Sequence, residues 1–225
     1  MRGEPSCPRC GGRVRAPGLF ADSWQCDAHG RVHPLQPVVP PGVEVLGAVV
    51  GRAQVPVWMP WPLPVGWLFT GVAHAGDDRG GSRATAVACS GPGPLGGTGE
   101  MLLVAEEPGV GLGARYAGLE GPDPGPSLRL DTVPEAKVHA AGRSTPLWHV
   151  RSAPADRAVF AGEARGIWLW AVVRPERSAI LMYDELVLTD LRDAGAEVEL
   201  VPCGALSPQL LAAPDAPPPR ARPGA

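Results

Sequence analysis

Two closely spaced ligand pairs near the start of the chain constrain its fold more than any other feature. Cys7-Pro8-Arg9-Cys10 is followed after fifteen residues by Cys26-Asp27-Ala28-His29, a C-x2-C…C-x2-H pattern. A tetrahedral metal ion needs four donors that converge on one point, and a two-residue gap lets one tight turn supply two of them. Gly11 and Gly12 follow the first pair and Gly30 the second, where such turns call for left-handed backbone. Between the pairs, Arg13-Val14-Arg15 and Phe20 to Gln25 read as two strands of a ribbon. The spacing predicts a zinc ribbon over residues 1–33 with Cys7, Cys10, Cys26 and His29 as ligands. His33 is the rival for the fourth position, and the tighter Cys-x-x-His turn before Gly30 favours His29.

Four protein ligands leave no open coordination position, so the zinc is expected to be structural and not hydrolytic. A module of this size buries too little apolar surface to fold unaided. A structural zinc contributes on the order of 10 kcal/mol toward folding it. The competing reading is a redox Cys-x-x-Cys pair, which needs a strand before it and a helix after it. Here Gly11 and Gly12 follow instead.

Charge and composition narrow the function classes. Net charge is -3 and the pI is about 6.0, so the chain lacks the basic footprint that phosphate-backbone binding needs. Arg2, Arg9, Arg13, Arg15 and Arg31 make the ribbon locally basic. The opening Met-Arg-Gly-Glu-Pro-Ser has no apolar segment, so no secretory signal is expected. No run of about 18 apolar residues occurs, so no membrane span is expected. A cytoplasmic location follows as the default, and in a reducing compartment a cysteine cluster holds metal more often than disulfides. The 30 glycines and 28 prolines accompany a complete lack of Asn and a single lysine, Lys137. That bias matches GC-rich coding, so the prolines are read as turns and not as a sign of a disordered chain.

Residues 34–66 read as a Pro/Trp-rich linker with a short helix from Val43 to Ala53, where a strand is the alternative. Val55 to Trp67 carries alternate prolines, which exclude a helix or a central strand and predict an extended loop. Residues 67–209 read as an α+β domain. Its expected strands are Trp67 to Ala73, Ala84 to Cys89, Met101 to Ala105, Leu147 to Val150, Val159 to Glu163, Ile167 to Val173, Ala179 to Tyr183 and Glu197 to Val201. Helices are expected at Gly109 to Leu119 and Leu186 to Ala194. Short turns join many of these strands, which predicts a mainly antiparallel sheet with a few short helices. Residues 210–225 read as a disordered tail.

Several stretches of the larger domain contain residues with chemical potential, and each has a plainer reading. Gly91-Pro-Gly-Pro-Leu-Gly96 matches G-x-G-x-x-G, but its prolines remove N–H donors and a strand follows, which favours a hairpin loop over a phosphate cradle. Gly109-Val-Gly-Leu-Gly113 is better placed to aim a helix N-terminus at an anion, with Arg115 nearby. Cys89 and Ser90 could supply a nucleophile if a histidine lay within reach, yet a small buried thiol is the commoner case. In Tyr183-Asp184-Glu185 and at Asp190, the acids could pair as carboxylates for acid–base work, whereas at a strand–helix junction Asp184 and Glu185 more often act as the cap and first-turn acid. Trp58, Trp61 and Trp67 either cover an edge of the core or form an aromatic platform for a ligand or a protein partner, the latter through Trp58 and Trp61.

The stretches MRGEPSCPRCGGRVRAPGLFADSWQCD, VPVWMPWPLPVGWLFTG, ATAVACSGPGPLGG and YDELVLTDLRDAGAEVEL together resemble an uncharacterised actinobacterial family of small zinc-ribbon proteins, a domain of unknown function. The resemblance runs to about Pro208 and is close. Members are sometimes labelled phosphotransacetylase-like, but the resemblance implies no catalytic residues. The reading of the chain is therefore a cytoplasmic interaction or regulatory module with structural zinc and no catalytic residue assigned. The alternative is a small enzyme acting on an acyl or phosphorylated metabolite near the glycine loops. A third reading is nucleic-acid binding through the basic ribbon.

Overall fold

Two mainly antiparallel sheets of very different size organise the molecule, which the computed structural model describes over residues 3–19, 21–125, 128, 131–184 and 186–212. The small sheet has the order β1 (Val14–Arg15), β2 (Gln25–Cys26) and β3 (Gly30–Arg31). Cys26 faces Val14 across one ladder and Gly30 across the other. The predicted disorder of 210–225 falls almost wholly on 213–225, outside the described residues.

The large sheet has nine strands. In chain order they are β4 (Trp58–Pro60), β5 (Leu68–Asp77), β6 (Gly81–Pro92), β7 (Thr98–Glu106), β8 (Ala136–Ala140), β9 (Arg143–His149), β10 (Ala158–Ala164), β11 (Ile167–Arg174) and β12 (Leu186–Asp190). Their spatial order is β4-β12-β8-β9-β10-β11-β7-β6-β5, and only the β12–β8 pair is parallel. The architecture is the mainly antiparallel α+β class that the sequence predicts. The helices are short: α1 (Val43–Val50), α2 (Leu112–Ala117) and α3 (Pro208–Leu211), with 3-10 segments at Glu176–Met182 and Gly195–Leu200.

The central strands are apolar on both faces because each face carries its own core. In β7, Met101, Leu103 and Ala105 enter one core while Leu102 and Val104 enter the other. In β11, Leu169, Ala171 and Val173 alternate in the same way with Trp170 and Val172. The sheet curls until β4, at one end of the strand order, contacts β6 and β7 near the other. Trp58 and Met59 of β4, together with α1, fill the inside of the curl. The outer face is covered by α2, by Leu35 and by Leu210 of α3.

Five segments depart from expectation. Leu186 to Ala194 does not form a helix, because Leu186–Asp190 is strand β12. Leu188 and Asp190 point inward there, and Asp190 accepts from the Val57 backbone N–H at 3.1 Å and from Arg165 at 3.0 Å. These distant partners override a helical pattern. Ala179 to Tyr183 and Glu197 to Val201 are not strands. They fall in or beside 3-10 turns, in which residues three apart share a face, and Val198 and Val201 are the buried pair of the second. Within the Pro-rich stretch, Trp58–Pro60 pairs with β12. It is an edge strand, one of the places where a sheet tolerates proline. Strand β8 was not anticipated, although Ala136, Val138 and Ala140 alternate inward with Lys137 and His139 between them.

Candidate metal centre

The knuckle Cys7–Gly12 closes on itself. Cys7 N–H donates to the Gly12 carbonyl and Gly11 N–H to the Cys7 carbonyl, both at 2.8 Å. Gly11 takes a φ of +69° and Gly30 of +65°, conformations that glycine adopts without strain. The second knuckle starts from β2, where His29 N–H donates to the Cys26 carbonyl at 3.3 Å. The two knuckles bring Cys7, Cys10, Cys26 and His29 together, with one ligand atom from each lying within 4.8 Å of every other. His33, the rival ligand, is half-buried and lies outside this group.

The spacings within the group test whether a metal ion fits. A tetrahedral shell with sulfur about 2.3 Å and nitrogen about 2.0–2.1 Å from its centre has sulfur–sulfur edges of about 3.8 Å and sulfur–nitrogen edges of about 3.5 Å. Cys10 Sγ and Cys26 Sγ are 3.8 Å apart. His29 Nδ1 lies 3.5 Å from Cys7 Sγ and 3.6 Å from Cys26 Sγ. These three separations match edges of a coordination shell, and the group's donors could hold a metal ion.

The surroundings favour negatively charged sulfur around a cation. The backbone N–H groups of Arg9 and Cys10 address the Cys7 sulfur, those of Ala28 and His29 address Cys26, and Gly12 N–H lies 3.4 Å from Cys10 Sγ. Burial nevertheless pushes the Cys7 thiol up to about 12. Burial acts upward on Cys26, but the N–H groups of Ala28 and His29, together with the Cys7 and Cys10 side chains, outweigh it and its value falls. A bound cation supplies the missing counter-charge and deprotonates such thiols.

The module is tied to the large sheet at several points. Leu35 bridges Ser6 on one side and Ala75 of β5 on the other, extending the edge of the sheet to the first knuckle. Trp24 donates its indole N–H to Asp77 at 2.9 Å. Arg115 on α2 donates to the Cys7 carbonyl at 3.4 Å. Arg9, between the first two cysteines, donates to the carbonyls of Gly109 and Val110.

The other candidate residues serve the fold. The Gly109–Gly113 turn does direct the start of α2 at an acceptor, but that acceptor is the chain's own Glu106 carboxyl. The carboxyl accepts from Leu112 N–H at 2.7 Å and Gly113 N–H at 3.1 Å, and the side chain is fully buried. Burial raises Glu106 to about 8 against the pull of those two amides. Asp123 takes the N–H of Gly109 at 2.8 Å. Gly91–Gly99 belongs to the β6–β7 hairpin, where Gly93 and Gly97 bond to each other at 2.8 Å.

Cys89 is 1% exposed, and burial lifts its thiol to about 12, which removes it as a nucleophile. Asp190 is engaged by Val57, Arg165 and Arg192, and Asp184 and Tyr183 lie beside β8 with no helix for them to cap. Glu185 lies outside the described residues. Trp58 is 1% exposed and belongs to the core. The partner-face reading is thereby corrected for Trp58, because the curl of the sheet encloses it; Trp61 is half-buried against the same core.

No helix among the described residues is long and apolar enough to cross a membrane. Residues 1–210 match the model of a family described as a family of unknown function (DUF6758). Neither the comparison with curated proteins nor that with solved structures finds a match.

Proposed function

The chain belongs to this family of unknown function, and from that premise we propose that Cys7, Cys10, Cys26 and His29 hold one structural zinc ion in an interaction or regulatory protein. The observation that carries the reading is the agreement of three independent spacings, 3.5, 3.6 and 3.8 Å, with the edges of a tetrahedral shell of three sulfurs and one nitrogen. Three thiolates and an imidazole suit zinc among the common divalent ions. All four positions are protein ligands, so the ion has none left for a substrate or water. On this reading zinc fixes the two knuckles, and His29 binds through Nδ1.

The structural roles of the nominated residues support a non-enzymatic task. Cys89 is buried, the α2 N-terminus holds Glu106 and the glycine hairpin bonds to itself. A reduced, cytoplasmic setting fits three metal-binding cysteines, and the GC-rich composition fits an actinobacterial source. The experiment is native mass spectrometry of the full chain purified without chelators, paired with elemental analysis. One zinc per chain is expected, together with any partner that remains bound. Metal-free protein with ordered knuckles overturns the reading.

A further inference from the structure

Away from the metal centre, three arginines converge on one cavity of about 230 Å³. Arg115 and Tyr116 come from α2, Asp156 and Arg157 from the turn before β10, Arg174 from the end of β11, and Gln209 and Ala212 from α3 and the residue after it. The lining therefore carries three guanidinium groups and one carboxylate. Such a concentration of like charge in a partly dry recess is costly unless an anion completes it.

The hydrogen bonds show which donors remain. Asp156 is shared: Arg157 gives it Nε at 2.7 Å and Nη2 at 3.1 Å, and Arg174 gives it Nε at 3.3 Å. Arg157 also donates Nη1 to the Tyr116 carbonyl at 3.0 Å, so it acts as a fixed wall. Arg174 is different. Its side chain is 13% exposed, yet neither terminal amino group has an acceptor among the described residues. Arg115 holds the Cys7 and Ala212 carbonyls, while its buried Nε has no acceptor. Glu100 acts on Arg174 through space, but its carboxylate is taken by the Ser207 hydroxyl and does not line the cavity.

We propose that this cavity binds the phosphoryl group of a small phosphorylated molecule or free phosphate. A tetrahedral dianion offers several acceptor oxygens to the Arg174 fork at once, and forked guanidinium–phosphate pairs are among the stronger hydrogen-bonded contacts. A carboxylate offers one charge and two oxygens in a plane, which satisfies the lining less completely. The site involves none of the four metal ligands, so its failure and that of the zinc reading are separately visible. Arg115 nevertheless links the two, because it touches both the cavity and the Cys7 carbonyl.

The test uses the full zinc-loaded chain and isothermal titration calorimetry at constant ionic strength, with inorganic phosphate, glycerol phosphate, acetate and chloride as probes. Phosphate or glycerol phosphate is expected to bind at one site and raise the thermal midpoint, and whichever binds more tightly identifies the source of the phosphoryl group. Arg174→Met should weaken that binding at least tenfold, while Arg143→Met, on an exposed strand end, should leave it unchanged. Should Arg174→Met fail to fold, Arg115→Lys keeps the charge but loses the fork, and it should weaken binding several-fold. Equal response to acetate, chloride and phosphate overturns the proposal. So does an Arg174→Met protein that binds as tightly as the parent.

Discussion

Among the described residues of the three-stranded module only Cys7, Cys26 and Val32 form a buried hydrophobic cluster, with Val14 and Trp24 packed against it, whereas each face of the nine-stranded sheet carries a core of its own. Two of the three residues in that cluster are also candidate metal ligands. Its strands are two residues long, too short to hold a sheet through ladder bonds alone. In the large sheet apolar burial on two faces does that work. The comparison teaches that one chain can stabilise neighbouring regions by unrelated means, and that each can be disturbed separately.

The largest separation should come from removing the metal. Chelation, or Cys26→Ser, is expected to withdraw on the order of 10 kcal/mol from the module. Amide exchange from Cys7 to Val32 should then become fast while the central strands β7 and β11 stay protected. Protection lost everywhere at once would show that the two regions form a single cooperative unit. The reverse experiment is Phe160→Ala, which removes a ring that is 1% exposed inside the curl. The expected cost is about 3–5 kcal/mol in denaturant unfolding, with metal content unchanged from the parent.

A third disturbance acts through pH. Glu106 is raised from 4.5 to about 8 in the folded state, chiefly by burial. Between those values the folded state keeps a proton that the unfolded chain releases. Its contribution is therefore full below about pH 4.5 and declines as pH rises toward 8. Glu106→Gln cannot ionise and lacks that slope. Relative to the variant, the parent should lose up to about 1.4 kcal/mol per pH unit across this window. Parallel stability curves would mean that the amides of Leu112 and Gly113 keep the carboxylate ionised throughout.

The same contrast explains what could be read from the sequence. The metal group is local: two turns of a few residues fix its geometry, so its spacing is visible in Cys7 to His29. The β5–β6 hairpin and the β6–β7 pair are local as well, and their apolar runs were legible. Strand β12 is not, because Asp190 is held by Val57 and Arg165, both far away in sequence, and nothing in Leu186 to Ala194 announces them. Glu106 was passed over for another reason. A lone acid at a strand end gives no hint that it will cap the next helix from inside, although Gly109, Gly111 and Gly113 marked the turn that it serves. The arginines of the cavity come from three separated elements, and no motif joins them.

The smallest expected effect probes the seam between the regions. Arg9 lies between two candidate ligands, and its guanidinium reaches the Gly109 and Val110 carbonyls. Its stem packs close to Gly111, where a Cβ would come within 2.7 Å of Arg9 Cγ. Arg9→Met keeps the stem and removes the donors, so a loss of about 1–2 kcal/mol is expected. That loss should appear as roughly tenfold faster exchange of the Gly109 to Gly113 amides, since about 1.4 kcal/mol corresponds to a factor of ten. Removing zinc from the parent should speed the same amides, because the knuckle that presents Arg9 then loosens. In Arg9→Met, zinc removal should add little there. If it adds as much as in the parent, the metal centre reaches α2 through Arg115 and the Cys7 carbonyl instead, and a Cys7-side contact, not Arg9, is the seam.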